Sequence, residues 1–484
     1  MSPAVERFWQ QLAAQGERIA LRDGQREWTY ADLLSEVGAR ELLLRQNGAR
    51  RLAIALDNGP EWLFWDLAAL CAGVVCVPLP GFFSPSQQRH VLDSAGVDTL
   101  VTADPHGFVA LEFVLQGELA HREVAAPAPL PAGTAKITFT SGTTGQPKGV
   151  CLSAEAMLNV AQSIAAATAG SGIERHLCVL PLAVLLENLA GNYAPLLLGA
   201  CLEIPPLASV GMRGASQFDL SAFLASLSRV RPSSLILLPQ QLLVLVTAAE
   251  RGMPLPDSLR FIAVGGGRVA PQLLDRAASL GLPVFEGYGL SECASVVCLN
   301  TPGQRRIGSV GRPLPHLEVR LADDGEVLVR GATFLGYLGE PIRPGEWLGT
   351  GDLGHWEDGF LVLHGRKKHQ FVTAFGRNVN PEWVEAELVQ QAAIAQAWLH
   401  GEALPANVAV LVPRGEASDA RLQAAVDEVN AGLPDYARVH RWLRAEQPFG
   451  EANGLATSNG RLRRAALFAY YRRAIDCLMA ESSL

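Results

Sequence analysis

The chain has 484 residues, 49% apolar and 18% charged, with a formal net charge of −8. That length exceeds one ordinary hydrophobic core and predicts roughly two to four structural units, and the composition lies far from the high-charge, low-hydrophobicity signature of disorder. The acidic balance excludes a general attraction to nucleic acid or anionic lipid, so a polyphosphate ligand would have to be held by local groups.

Met1 to Arg7 show no basic segment followed by an apolar core, which predicts no secretory signal and a cytoplasmic protein. From Leu52 short apolar runs alternate with amphipathic stretches: Leu52 to Leu56, Val74 to Pro78, Thr99 to Thr102, Ile137 to Thr140, Ser234 to Leu238 and Phe261 to Val264. Runs of that length, so spaced, predict βαβ units and therefore an α/β body of parallel sheets covered by helices. The Pro/Ala-rich stretch Ala125 to Gly133 reads as a connector into the strand at Lys136 to Phe139. The longest apolar stretches, Leu67 to Val77 and Leu235 to Val246, fall short of the ~20 residues a bilayer requires, so no membrane span is expected. Eight cysteines are scattered without a matching histidine pattern for zinc and read as buried thiols.

Between Val319 and Gly359 the pattern changes to short alternating strands with turns at Asp324-Gly325 and Asp358-Gly359, as in hairpins or a small β-barrel. The basic segment Gly365-Arg-Lys-Lys-His369 then precedes a helix start at Asn380-Pro381-Glu382, where Asn380 suits the cap and Pro381 the first turn. A domain boundary near Arg366 follows, with a large α/β region over 1–365 and a small α+β domain over 366–484.

The sharpest chemical signal is Thr140-Ser141-Gly142-Thr143-Thr144-Gly145-Gln146-Pro147-Lys148-Gly149, directly after a strand-like run. Small residues let the backbone approach phosphates, hydroxyls and main-chain N–H groups donate to their oxygens, and Lys148 supplies charge. The bland alternative is a solvated Ser/Thr/Gly turn. The spacing is not that of the common P-loop.

This loop resembles the signature of the adenylate-forming (AMP-binding) superfamily, which includes acyl-CoA synthetases, luciferases and peptide-synthetase adenylation domains. Further segments resemble that family's motifs in order: Gly265-Gly266-Gly267, Glu286-Gly-Tyr-Gly-Leu-Ser-Glu292, Thr350-Gly-Asp352, Gly365-Arg366 and Asn459-Gly-Arg461. The resemblance implies a large N-terminal domain and a small mobile C-terminal cap hinged at Lys368. It also implies ATP and magnesium as ligands. Thr140 to Gly145 with Lys148 would hold phosphates, and Gly266, Gly267, Gly289 and Ser291 would line the nucleotide. Tyr288 would stack on adenine, Asp352 would accept from ribose hydroxyls, and Arg366 would approach ribose or phosphate. Glu292, with Thr140, would hold the metal, since carboxylate oxygen suits a hard cation. The implied reaction joins a carboxylic acid to AMP with loss of pyrophosphate and then passes the acyl group to the thiol of CoA or of a phosphopantetheinyl acyl carrier protein. Lys148, Glu292 and Arg461 are the expected catalytic set.

The spacing of Arg366 to Val379 and the run Val179 to Asn188 resemble the long-chain fatty acyl-CoA synthetases, which favours a medium- to long-chain or otherwise apolar acid. Val184, Leu185, Glu187 and Gly265 are the acyl-pocket candidates. Two positions depart from the pattern. Val184 stands where those enzymes usually have histidine, and Arg461 where a lysine is expected to bridge the carboxylate and ATP; a guanidinium fork is not a conservative replacement for a compact ammonium. Two alternatives stay open: a ligase passing its adenylate to an amine or other nucleophile, and a degenerate member that binds nucleotide or acyl ligand without turnover.

Overall fold

In a computed structural model the chain is described over residues 2–124, 127–140, 147–213, 217–340, 346–375, 377–457 and 460–480. It divides into two compact units: Met1–Gly266 with Ala277–Val319 and Val329–Leu348, and Gly267–Arg276 with Arg320–Leu328 and Gly349–Leu484.

The first unit is built on two sheets. One has eight strands in the order Gly336–Tyr337, Lys148–Ser153, Thr134–Thr140, Val75–Pro78, Arg51–Ala55, Thr99–Thr102, Leu119–His121, Val114–Gln116. Its centre is parallel and its flanks are hairpins. The other has nine strands, with a parallel centre at Arg175–Leu177, Ser234–Leu237, Phe261–Val264 and Val284–Tyr288. Glu27–Thr29 closes one side antiparallel, and Cys298–Leu299 with Arg312–Pro313 closes the other. The expectation of parallel sheets thus describes the centres, while the margins are antiparallel because short return strands pair the otherwise open edges. Helix Pro60–Ala72 is buried nearly all round, with Trp62, Leu63, Phe64 and Trp65 in the main core, as a helix apolar on every face must be.

In the second unit the hairpin Leu348–Glu357/Phe360–Arg366 turns at Asp358 (φ 51°) and Gly359 (φ 80°). This is the left-handed pair that a tight two-residue turn requires. The hairpin joins Glu326–Gly331 and Leu317–Leu321 in a four-stranded sheet. A three-stranded sheet of Ile394–His400, Asn407–Pro413 and Val439–Arg444 follows, with helices Pro381–Gln390 and Asp419–Gly432 contributing to one core beside it. Asn380 caps the first of these helices by accepting from the Glu382 N–H, as the sequence predicts.

Five cysteines are buried, but Cys71 and Cys201 are half-buried and Cys477 is exposed, which corrects the expectation of buried thiols throughout. Cys477 lies on the polar side of helix Arg464–Ala480, whose core positions are Leu467, Tyr471 and Ile475. Among the described residues no helix is long and apolar enough to cross a membrane.

Candidate active site

Thr140 ends one strand and Lys148 begins the next, and the two are register partners across the hairpin. Ser141, Gly142, Thr143, Thr144 and Gly145 lie outside the described residues. The Lys148 side chain is half-exposed, with Nζ 3.6 Å from a Glu340 carboxylate oxygen and 5.1 Å from the ring centroid of Tyr337. The ring's negative face attracts the ammonium. Main-chain pairing of Gly336–Tyr337 with Cys151 and Val150 sets where that ring stands. The Tyr337 hydroxyl in turn donates to Glu292 Oε1 at 2.8 Å. Tyr337 therefore touches both Lys148 and Glu292 within the first unit.

Glu292 sits in the single turn Ser291–Cys293, and its carbonyl accepts from the Phe334 N–H at 2.6 Å. Ala294 (φ 49°) and Ser295 (φ 96°) follow it, two consecutive non-glycine residues in left-handed backbone. Such conformers cost about 1–3 kcal/mol each and persist only where the surroundings over-determine them. Here the Ser295 N–H donates to the Leu290 carbonyl, and a Cβ on Gly289 would overlap the Ser295 carbonyl oxygen, so residue 289 must be glycine. His316 Nε2 bonds the Val296 carbonyl at 3.0 Å, and burial pushes that imidazole down to about 4, keeping it neutral. Tyr288 ends its strand opposite Cys298 and is half-buried. Gly265 and Gly266 follow the strand Phe261–Val264, where a Cβ on Gly265 would press on the Gly287 carbonyl.

Of the acyl-pocket candidates, Val184 is half-buried and Leu185 buried. Glu187 opens a π-helical stretch, Glu187–Tyr193, and is fully buried, with Oε1 2.9 Å from His176 Nε2 and Oε2 accepting from the Leu180 N–H at 3.1 Å. Any contact of that carboxylate with a ligand would first have to release both partners. Cys178 lies near the same pair, with donor atoms of His176, Cys178 and Glu187 all within 4.8 Å of one another. Glu187 is already satisfied, so the group reads as a core network. The next turn holds a buried ion pair, Lys136 Nζ to Asp66 at 2.7 Å, with Asn188 bonded to both and the Tyr193 hydroxyl donating to Asp66 at 2.8 Å.

In the second unit Asp352 and Arg366 are register partners, and Arg366 Nε lies 2.7 Å from Asp352 Oδ1. Arg366 also donates to the Thr350 carbonyl at 3.3 Å. A Cβ on Gly365 (φ 135°) would overlap the Asn380 side chain, which donates to the His364 carbonyl, so the glycine of the Gly-Arg pair is a packing requirement. Lys367 is bound to Asp324 and Glu326. Burial, then the guanidiniums of Arg366 and Arg461, push the Lys368 amine below its ordinary value, while Glu382 and Asp352 oppose them. Lys368 thus feels the charges of Arg366 and Arg461 together with those of two carboxylates. Arg461 is exposed, on a loop where its N–H donates to Thr457 Oγ1 at 3.0 Å and its carbonyl accepts from the Thr457 N–H at 2.8 Å. Gly267 falls in this second unit by its packing.

Residues 8–338 match the family model of AMP-binding enzymes, and residues 368–483 that of the AMP-binding enzyme C-terminal domain. The chain belongs to the AMP-binding enzyme family. It is 26% identical to long-chain-fatty-acid–CoA ligase 6 of Rattus norvegicus, over 89% of this chain and 78% of the relative. It is 29% identical to a long-chain-fatty-acid–CoA ligase of Mycobacterium bovis, over 84% and 81%. Among solved structures it is similar to the O-succinylbenzoate Coenzyme A synthetase of Bacillus subtilis in complex with ATP and a magnesium ion, with TM-score 0.75, 25% identity and coverage of 95% and 98%. These likenesses support the relationship to long-chain acyl-CoA synthetases read from the motifs, and place this AMP-binding enzyme with the acid–thiol ligases.

Sequence reasoning missed Tyr337, His316 and the Lys136–Asp66 pair. Tyr337 carries no motif, and only the pairing of its strand with Lys148–Ser153 reveals it. Lys136 had one available signal, a lone lysine inside an apolar strand, which a buried partner must compensate.

Proposed function

We propose that this AMP-binding enzyme uses ATP to convert a carboxylic acid, medium- to long-chain or otherwise apolar, into an acyl-adenylate, and then transfers the acyl group to the thiol of CoA or of a phosphopantetheinyl carrier protein. The observation that carries the proposal is the meeting of Lys148 and Glu292 at Tyr337, next to the strand ends that frame the Thr140–Lys148 loop. A carboxylate oxygen attacks the α-phosphorus, the bond to the pyrophosphate oxygen breaks, and pyrophosphate leaves. The thiol sulfur then attacks the acyl carbon, its proton is lost, and the C–O bond to AMP breaks.

Catalysis of the first step is mainly alignment and neutralisation of developing negative charge, which donors, a lysine and a hard cation supply without a protein nucleophile. Lys148 holds phosphate oxygens, Tyr288 stacks on adenine, Asp352 accepts from ribose hydroxyls, Arg366 steadies ribose or phosphate, and Arg461 bridges the acid and the α-phosphate. Glu292 fits magnesium, because Tyr337 orients its carboxylate through one oxygen, and Thr140 would assist. Magnesium, when bound, neutralises phosphate charge. In this reading 366–484 is a mobile cap hinged at Lys368, and the protein works in the cytoplasm.

Pyrophosphate exchange with a panel of acids, followed by candidate acceptors, tests the reading. Exchange with an apolar acid and faster AMP release with CoA or a carrier protein are expected. Exchange that neither thiol accelerates, but an amine does, would move the second step to nitrogen. Arg461 favours one further reading, a member that binds without turnover: a large gain of exchange in Arg461→Lys would support it, and no gain would leave arginine as an adapted catalyst.

A further inference from the structure

In helix Pro381–Gln390 Glu382 and Glu385 lie one turn apart, and each binds a basic side chain, His369 and Arg464 respectively. Glu385 takes Arg464 in bidentate fashion, Oε1 to Nη1 at 2.9 Å and Oε2 to Nη2 at 2.5 Å, and its Oε1 also accepts from the Leu399 N–H at 2.7 Å. Glu385 is buried. Burial works against the Arg464 charge, yet the Glu385 carboxylate more than offsets it and holds that guanidinium above its ordinary value. Glu382 takes His369 Nδ1 at 2.6 Å, beside Lys368.

Arg464 is the first residue of the last helix and lies three positions after Arg461. Between them the chain is tied on its other side by the Ala456–Leu462 bridge and by the Arg463 N–H donating to the Leu455 carbonyl at 2.9 Å. A short ladder thus joins both limbs at the base of the loop that displays Arg461, and the limb leaving that ladder is anchored at Arg464 by a two-pronged ion pair. Well-packed apolar residues often replace a buried ion pair without loss of stability, so stability alone gives no reason for this one. Directional fixing does, because the guanidinium fork and the carboxylate meet in only one orientation.

We propose that Glu385 is a positioning residue for Arg461: through Arg464 it fixes the start of the last helix, and with it the loop from which Arg461 reaches the acid and the α-phosphate. The proposal rests on the reading of Arg461 given above. It assigns Glu385 to acid activation and leaves acyl transfer from a finished adenylate independent of it.

Glu385→Gln keeps the shape of the side chain and removes its charge. Two readouts apply to the full-length protein: hydrogen exchange of the Ala456–Leu462 amides, and the two half-reactions measured separately. Exchange of that segment is expected to rise about tenfold. Pyrophosphate exchange is expected to fall about 10–100-fold, since small misplacements of an aligning group are that costly. Transfer to a thiol from supplied acyl-AMP is expected to change by less than about threefold. Unchanged exchange of the segment, or equal loss in both half-reactions, overturns the proposal. If Glu385→Gln does not fold, Arg464→Lys keeps the charge, loses the fork and is read by the same criteria. Wild-type protein inactive toward every acid would refute the ligase reading alone, and the amide exchange would still decide whether Glu385 orders the loop.

Discussion

Lys148 and Glu292 in the first unit are located by main-chain hydrogen bonds, through the pairing of the Lys148 and Tyr337 strands and through the Phe334 N–H on the Glu292 carbonyl. In the second unit carboxylates do much of that work: Asp352 on Arg366 and Glu385 on Arg464. A main-chain bond survives when a side chain is changed, whereas an ion pair is lost with either partner and leaves the other charge stranded. Substitutions at the first set should therefore alter chemistry with little structural echo, and substitutions in the second should spread to neighbouring cations.

The Lys136–Asp66 pair is a fully buried ion pair inside the first unit, and it offers the largest way to break the contrast. Asp66→Leu leaves the lysine buried without a counter-ion and should cost about 3–5 kcal/mol, while adding Lys136→Met should recover most of it. Urea unfolding followed by tryptophan fluorescence reads both, because the Trp62 ring lies 5.9 Å from Lys136 Nζ. Next, Glu292→Gln should slow pyrophosphate exchange by about 10²–10³-fold, about 3–4 kcal/mol of barrier, with the thermal midpoint nearly unchanged. A large fall in the midpoint would show that the carboxylate, and not the backbone, holds this loop.

His316 gives an effect of about 3 kcal/mol that depends on pH. Its folded value, about 4, is below the ordinary 6.5. Between those values the unfolded chain binds the proton and the folded chain does not. Stability is therefore fully present above pH 6.5 and is lost as pH falls toward 4. His316→Gln should flatten that part of the stability curve measured by denaturant titration. The smallest effect is Tyr337→Phe, which removes one hydrogen bond to a carboxylate and should cost about 1.5 kcal/mol, near tenfold in exchange rate.

The sequence showed what is local. Thr99–Thr102 and Phe261–Val264 fall on their expected strands, Asn380 caps its helix, and Asp358-Gly359 makes its turn, because each depends on residues a few positions apart. Motif residues were legible for the same reason, since Gly289 and Gly365 answer to close packing. What stayed hidden depends on pairing between distant segments. Tyr337 meets Glu292 only because its strand joins the edge beside Lys148–Ser153. The run Val179 to Asn188 is mostly apolar and resembles the long-chain synthetases, but its Glu187 and Asn188 turn into polar networks whose partners, His176 and Asp66, come from another strand and another helix. Apart from the Thr134–Thr140/Lys148–Ser153 hairpin, the antiparallel margins of both sheets likewise come from two- and three-residue strands too short for any periodicity to show.

The central claim is that Lys148 and Glu292 serve one acid-activating site. Mass spectrometry of the nucleotide products formed from ATP, magnesium and a mixed pool of carboxylic acids tests it most directly. The account predicts an acyl-AMP of an apolar acid with the wild-type protein and a strongly reduced yield with either Lys148→Ala or Glu292→Gln. A folded wild-type protein that forms no acyl-AMP from any acid, or substituted proteins that form it at the wild-type rate, would contradict it.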